Sequence, residues 1–120
     1  MSFRPVLIIP IYNHKDTIAA TIARLAPHGL PIFVVDDGSD AATQAVLAEI
    51  AAREPLVSLS RLPHNSGKGA AVMSGLRLAH AAGYTHALQI DADGQHATAD
   101  VPRFLERGAA RPDAVIAGKP

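Results

Sequence analysis

Two carboxylates stand two residues apart where an apolar run of the chain ends. Asp91 directly follows residues 87–90, Asp93 comes two positions later, and Gln95 two positions after that. In an extended segment residues i and i+2 share one face, so both carboxylates can point the same way. A hard divalent cation such as Mg²⁺ or Mn²⁺ would relieve their repulsion, with Gln95 as a neutral oxygen ligand. The pattern indicates a metal site able to neutralise a diphosphate; the alternative is a helix-entry loop with solvated acids.

A second acidic pair follows another apolar run. Asp36 and Asp37 come directly after residues 32–35 and before a Gly-Ser pair. One of these carboxylates could accept hydrogen bonds from the N–H or hydroxyl groups of a ligand. The alternative is a turn, because Asp-Gly-Ser is ordinary turn chemistry and Ser39 or Asp40 can cap the next helix.

A glycine-rich segment, Asn-Ser-Gly-Lys-Gly at residues 65–69, precedes a helical pattern. Its glycines permit close approach of the backbone to a ligand, and a helix N-terminus favours an anion. Lys68 would add a positive charge. The segment is not the phosphate loop of nucleoside triphosphatases, which needs glycine in place of Leu62 and serine or threonine in place of Gly69. The alternative is a flexible loop with a solvated lysine.

Composition excludes several other classes of protein and site. The 120 residues suit one domain, and 48% hydrophobic content is enough for a core. With 11 basic and 11 acidic residues there is no basic field for nucleic acid. The absence of cysteine excludes disulfides and thiolate metal sites. No apolar run approaches the roughly 20 residues that span a bilayer, and the N-terminus is no signal peptide, so we expect cytoplasmic residence.

Short apolar runs alternate with helical patterns, and this alternation predicts a Rossmann-like α/β fold. The predicted strands are residues 6–9, 32–35, 57–62, 86–90 and 114–117. The predicted helices are residues 16–25, 41–53, 69–82 and 98–111. Strands joined by helices form a mostly parallel sheet with helices on both faces. Ligands then bind beyond the carboxyl ends of the strands, where the polar clusters lie.

Three finer expectations concern individual elements. Pro10 should close the first strand, and the alternation of apolar and polar residues in 57–62 indicates an edge or half-buried strand. The third helix should carry Val72, Leu76 and Ala79 on one face.

Four segments, taken together, resemble the family 2 glycosyltransferases with the GT-A fold. They are Pro10-Ile11-Tyr12-Asn13, Val34-Val35-Asp36-Asp37-Gly38-Ser39, Asn65-Ser66-Gly67-Lys68-Gly69-Ala70 with Gly75, and Asp91-Ala92-Asp93-Gly94-Gln95-His96. Their order and spacing are specific, and the resemblance runs from Pro5 to Gly118. The last segment is most similar to the dolichol- and polyprenyl-phosphate sugar transferases.

The resemblance implies a UDP- or GDP-linked sugar donor, Mg²⁺ or Mn²⁺, and transfer with inversion to an acceptor such as a lipid-linked or envelope glycan. By resemblance, the nucleotide sugar would be bound by Pro10, Tyr12, Asn13, Asp36 or Asp37, Lys68, Asp91 and Asp93. The metal would be held by Asp91, Asp93 and Gln95.

The chain also departs from the family. His14 stands where an acidic residue is common, and the family's catalytic domain is close to twice as long. We therefore expect residues 1–120 to be the nucleotide-sugar-binding part, truncated at the C-terminus, with no catalytic base assigned. The parent protein could associate with the cytoplasmic face of a membrane.

Two other functions fit parts of the sequence. The length, the Asp pair and the terminal Lys119-Pro120 invite a receiver domain that accepts a phosphoryl group, although receivers carry the acid pair after their first strand. The other is a non-catalytic nucleotide-binding fragment that self-associates through an exposed sheet edge.

Overall fold

Parallel strands alternate with helices along the part of the chain that the computed structural model describes, residues 3–92 and 97–110. The strands are β1 (Pro5–Ile11), β2 (Ile32–Asp36), β3 (Val57–Arg61) and β4 (His86–Gln89). The helices are α1 (Ile18–Leu25), α2 (Ala41–Arg53), α3 (Lys68–Ala81) and α4 (Ala97–Ala110). A single 3₁₀ turn, Ala26–His28, follows α1, and Gly29 ends it with a φ of 72°. The predicted fifth strand, residues 114–117, lies outside the described residues.

The described strands form one sheet in the order β3-β2-β1-β4. All three neighbouring pairs are parallel, and Leu7 of β1 is in register with Ile32 on one side and Leu88 on the other. The predicted parallel α/β architecture is therefore confirmed. The strand order contradicts the receiver hypothesis, because the flavodoxin-like order of receivers places β3 beside β1.

The strand order reverses at β1, which makes the carboxyl end of this strand the expected place for a ligand. The chain steps from β1 to β2 and β3 in one direction and then returns to place β4 on the opposite side of β1. The polar segments after β1, β2 and β4 consequently converge on one rim of the sheet.

Helices cover both faces of β1, whose residues Val6, Leu7, Ile8 and Ile9 are at most 1% exposed. Leu7 and Ile9 belong to a core shared with α1, α2 and α4. Val6 and Ile8 pack on the opposite face, with α3. Burial on both faces explains why β1 is a continuous apolar run rather than an alternating one.

The face of α3 that meets the sheet agrees only in part with the predicted apolar face. Its buried residues are small and spaced four apart: Ala71, Gly75 and Ala79. Of the residues predicted on one face, Ala79 is buried, Leu76 is half-buried against the core, and Val72 is half-buried. The buried stripe consists of small residues because α3 packs closely on β1: a Cβ added at Gly75 would lie 2.7 Å from Ile8 Cγ2.

Two boundary predictions also need correction. β1 continues through Pro10, which pairs with Val35, to Ile11. The pairing of β1 with β4 ends at Ile8 and Gln89, before Pro10, which has no N–H with which to continue that ladder. The first helix begins at Ile18, two residues later than predicted.

The predicted edge character of residues 57–62 is confirmed, because β3 lies at one edge of the described sheet. Self-association through a sheet edge stays a prediction. Within residues 3–92 and 97–110, no helix combines the length and the apolar character needed to cross a bilayer. Cytoplasmic residence likewise stays a prediction.

Candidate functional site

A cavity of about 250 Å³ opens at the carboxyl ends of the strands, where the topology predicts a ligand. It is lined by Pro10, Ile11, Tyr12, Asp37, Asn65, Gly67, Lys68 and Asp91. The fold thus brings together residues from all four segments singled out in the sequence. A larger cavity, about 380 Å³ between α3 and β4, has no carboxylate in its lining and offers less chemistry.

Asp37 binds the glycine-rich segment. Its Oδ1 accepts the backbone N–H of Ser66 at 2.7 Å, and its Oδ2 accepts the N–H of Gly67 at 2.9 Å and the Asn65 side-chain amide at 2.9 Å. The residue is only 3% exposed. Both carboxylate oxygens are engaged by the protein, so Asp37 shapes the cavity wall and fixes the start of α3.

Gly38 allows the same two segments to touch. Its φ is 77°, and a Cβ added there would lie 2.4 Å from the backbone nitrogen of Asn65. Any other residue would be strained in this conformation and would push the 64–65 backbone away. The glycine of the Asp-Asp-Gly-Ser segment is thus required by the close approach of the 65–67 segment.

Asp36 points into the protein. It is fully buried, its Oδ1 accepts the backbone N–H of Ser39 at 2.9 Å, and its Oδ2 accepts Nε–H of Arg61 at 3.3 Å. It does not line the cavity. Of the two acids proposed to bind the nucleotide sugar, the structure therefore places only Asp37 at the cavity.

Lys68 and Asp91 form an ion pair across the cavity, with Nζ 2.6 Å from Oδ1. The lysine side chain is 57% exposed and the aspartate side chain 41% exposed. The first residue of α3 and the residue after β4 thus meet although they lie 23 positions apart. This contact brings the glycine-rich segment and the acidic segment into one site.

Asp91 suits a divalent metal, because its hard carboxylate oxygens face the cavity and already hold a cation, the lysine ammonium. The other two predicted ligands, Asp93 and Gln95, lie outside the described residues. Across residues 3–92 and 97–110 there is no cluster of three or more His, Asp or Glu side chains that could hold a metal. The described part of the site therefore supplies one candidate ligand.

Tyr12 is 47% exposed at the cavity and presents an aromatic ring on which a base could stack. Asn13 holds the turn that follows it, with a φ of 69°. Asn13 donates its backbone N–H to Ser39 Oγ at 2.9 Å and accepts the Asp40 N–H on Oδ1 at 2.8 Å. Asn13 is absent from the cavity lining, so its described contacts give it a positioning role.

Asp40 caps α2, as the turn interpretation of this segment predicts. Its Oδ1 accepts the backbone N–H of Thr43 at 2.8 Å. The hydrogen bonds from Thr43 hold the pKa of Asp40 below its ordinary value, with a smaller effect from the charge of Lys15. The sequence placed Asn65 in the glycine-rich segment but did not reveal the role of its amide, which depends on contact with Asp37.

Comparison with known proteins gives one consistent family. The model of the family described as glycosyl transferase family 2 matches residues 6–120. Polyprenol monophosphomannose synthase of Mycolicibacterium smegmatis is 33% identical over 97% of this chain and 45% of its own length. Undecaprenyl-phosphate mannosyltransferase of Micrococcus luteus is 34% identical over 86% of this chain and 43% of its own.

A solved structure extends the comparison to the fold. Mannosyltransferase PcManGT of Pyrobaculum calidifontis, in complex with GDP-Man and Mn²⁺, matches with a TM-score of 0.66 and 25% identity. The match covers 75% of this chain and 27% of that one. The chain spans less than half the length of the curated relatives named above.

Proposed function

This chain belongs to glycosyl transferase family 2, and we propose that it forms the donor-binding part of an enzyme that transfers a sugar from a nucleoside diphosphate to a lipid-linked phosphate. The observation that carries the proposal is the meeting of Lys68 and Asp91 at the cavity beyond β1. A diphosphate needs a cation near its oxygens and a carboxylate to hold a metal, and these two side chains supply both.

The donor would lie along the cavity from base to phosphates. The exposed ring of Tyr12, beside Pro10, offers a stacking surface for the base. At the other end, the N-terminus of α3 and the ammonium of Lys68 would attract the phosphates. A UDP- or GDP-linked sugar has this division into an aromatic base and an anionic diphosphate.

A divalent metal, Mg²⁺ or Mn²⁺, would be held by Asp91 with Asp93 and Gln95. When bound, it would act as a Lewis acid that stabilises the departing diphosphate. The complex of PcManGT with GDP-Man and Mn²⁺ supports this assignment by analogy. The particular sugar and metal are open to direct titration.

The acceptor proposed is a polyprenyl phosphate, the class named for the Micrococcus relative. Its phosphate oxygen would form a bond to the anomeric carbon as the bond from that carbon to the diphosphate breaks. The bonding electrons leave with the nucleoside diphosphate, and attack from the opposite face inverts the carbon. The second pKa of a phosphate monoester is about 6, so at neutral pH the acceptor is mainly a dianion. Its oxygen can therefore attack without losing a proton. A lipid acceptor would bring the whole protein to a membrane surface, proposed here as the cytoplasmic face.

Calorimetry tests the donor-binding step on this chain itself. GDP-mannose and UDP-glucose would be titrated with Mn²⁺, with Mg²⁺ and with a chelator. The proposal expects one of the two donors to bind with a metal present and to bind at least about tenfold more weakly without it. A folded sample that binds neither donor under any of these conditions would contradict the proposal.

A further inference from the structure

We propose that Lys68 is an internal counter-ion that occupies Asp91 until the donor arrives, so that the metal and the nucleotide diphosphate bind as a coupled pair. The inference rests on the proposed function and adds a positioning residue with a defined role in the order of binding. It assigns Lys68 two partners: Asp91 in the donor-free protein and the diphosphate in the complex.

The ammonium of Lys68 and a metal ion compete for Asp91. Lys68 Nζ lies 2.6 Å from Asp91 Oδ1, so the carboxylate already has a cation in direct contact. A divalent ion bound to the same carboxylate would face that positive charge at short range, where repulsion is strongest. Metal binding to the donor-free protein therefore requires the lysine to leave.

Only the side chain of Lys68 needs to move for a metal ion to bind. Its backbone follows Gly67, whose N–H is held by Asp37 at 2.9 Å, so the start of α3 is anchored to the end of β2. The side chain is 57% exposed and ends a flexible stem of four carbons. Lys68 can therefore swing within the cavity while the wall that carries it stays in place.

A diphosphate gives the displaced lysine a new partner. Without nucleotide, metal binding breaks the ion pair and leaves the ammonium with only water as a partner. With nucleotide, the ammonium exchanges a carboxylate for phosphate oxygens at the same cavity. Each of the two ligands thus raises the affinity for the other, and by linkage the factor is the same in both directions.

A simpler interpretation is that the contact is an exposed surface ion pair with little effect on binding, as many such pairs are. The two interpretations predict different effects of neutralising the lysine on the affinity for a metal ion. An inert pair leaves metal affinity unchanged when the lysine is neutralised. An internal counter-ion weakens metal binding, so its removal must strengthen it.

The experiment measures Mn²⁺ binding to the nucleotide-free chain by the electron paramagnetic resonance signal of free Mn²⁺, and GDP and UDP binding by calorimetry with and without Mn²⁺. The variants are K68Q, K68R and the control K15Q, which removes the same charge from an exposed lysine outside the cavity lining. K68Q should bind Mn²⁺ alone roughly threefold to tenfold more tightly than wild type. It should bind the nucleotide at saturating Mn²⁺ more weakly, so the coupling factor falls. K68R and K15Q should stay near wild type.

The outcomes separate this inference from the proposed function. Wild type that binds nucleotide in a metal-dependent way, with K68Q equal to wild type in both titrations, overturns the role of Lys68 and leaves the function standing. Wild type with no metal-dependent nucleotide binding overturns both. Opposite shifts of the Mn²⁺ and nucleotide affinities in K68Q support both.

Discussion

Asp37 accepts the backbone N–H of Gly67 at 2.9 Å, which ties the end of β2 to the residue before α3. Asp37 also donates its own N–H to the carbonyl of Ile11 at 2.8 Å, so it joins the ends of β1 and β2 to the glycine-rich segment. One buried residue, through its backbone N–H and its carboxylate, thus joins three segments that border the cavity. Asp37, which the sequence offered as a ligand-binding residue, therefore holds the walls of the cavity together.

Replacing Asp37 with asparagine should loosen the 65–67 segment. An amide keeps one acceptor oxygen but sets an NH₂ group against a backbone N–H. We expect D37N to lower the free energy of unfolding by about 1–3 kcal/mol. Chemical denaturation measures this, and faster amide exchange at Ser66 and Gly67 would localise it. The control D16N, at an exposed aspartate, should stay within about 0.5 kcal/mol. Equal stability of D37N and D16N would contradict the role of Asp37 in holding residues 65–67.

The buried carboxylate of Asp36 depends on Arg61. The pair is 3.3 Å apart, with the Asp36 side chain fully buried and the Arg61 side chain 45% exposed. R61Q leaves Asp36 Oδ2 without this partner, and we expect a loss of about 1–3 kcal/mol in unfolding free energy. The matched control is R53Q, since Arg53 forms an exposed pair with Glu49 at 3.9 Å. That change should cost less than about 0.5 kcal/mol. Similar losses of unfolding free energy in R61Q and R53Q would show that the pair with buried Asp36 contributes no more than the exposed pair.

The close packing of α3 on β1 predicts opposite effects for two glycines of one helix. A Cβ at Gly75 would lie 2.7 Å from Ile8 Cγ2 and 3.3 Å from Val35 Cγ2, whereas one at Gly69 meets nothing within 4 Å. G75A should therefore destabilise the protein by about 1–3 kcal/mol through overpacking. G69A should be neutral or stabilising by up to about 1 kcal/mol, because alanine favours a helix. Urea denaturation of both variants tests the packing, and a stabilising G75A would be inconsistent with it.

The cap of α2 predicts a specific pH dependence. The Thr43 hydrogen bonds lower the pKa of Asp40 in the folded state, so the charged cap stabilises the fold above the unfolded pKa. This stabilisation is lost as the pH falls through the folded pKa, below about pH 4. Asparagine can cap a helix but does not titrate. The stability of wild type relative to D40N should therefore fall in that range of pH. Thermal melts between pH 7 and 3 measure it, and a constant difference between the two proteins would count against the cap.

The sequence predicted the sheet well because its signals are local. Val6 to Ile9 is buried on both faces, which a continuous apolar run reports directly, and the bounds of α2 at Ala41 and Arg53 match the prediction. The face of α3 was predicted only in part, because helical periodicity favours large apolar residues such as Leu76, which is half-buried against the core. The structure instead buries Gly75, whose role depends on Ile8 across the interface.

The sequence located several residues that line the cavity but not the contacts between them. Residue types and strand ends located Lys68 and Asp91, yet their ion pair joins positions 23 apart and follows from the strand order. The two acids after β2 have identical chemistry in sequence. In the structure Asp36 binds Arg61, whereas Asp37 binds the 65–67 segment. These partners are distant in sequence, so the residues next to the two acids do not predict which acid makes which contact.

The most direct test of the account is the Mn²⁺ dependence of nucleotide-sugar binding in wild type and D91N, measured by calorimetry on folded samples. The central claim is that Asp91 holds the metal against the diphosphate at the cavity beyond β1. The account predicts that Mn²⁺ raises the affinity of wild type for its donor at least about tenfold and that D91N loses this gain. Donor binding by D91N with the same Mn²⁺ dependence as wild type would contradict it.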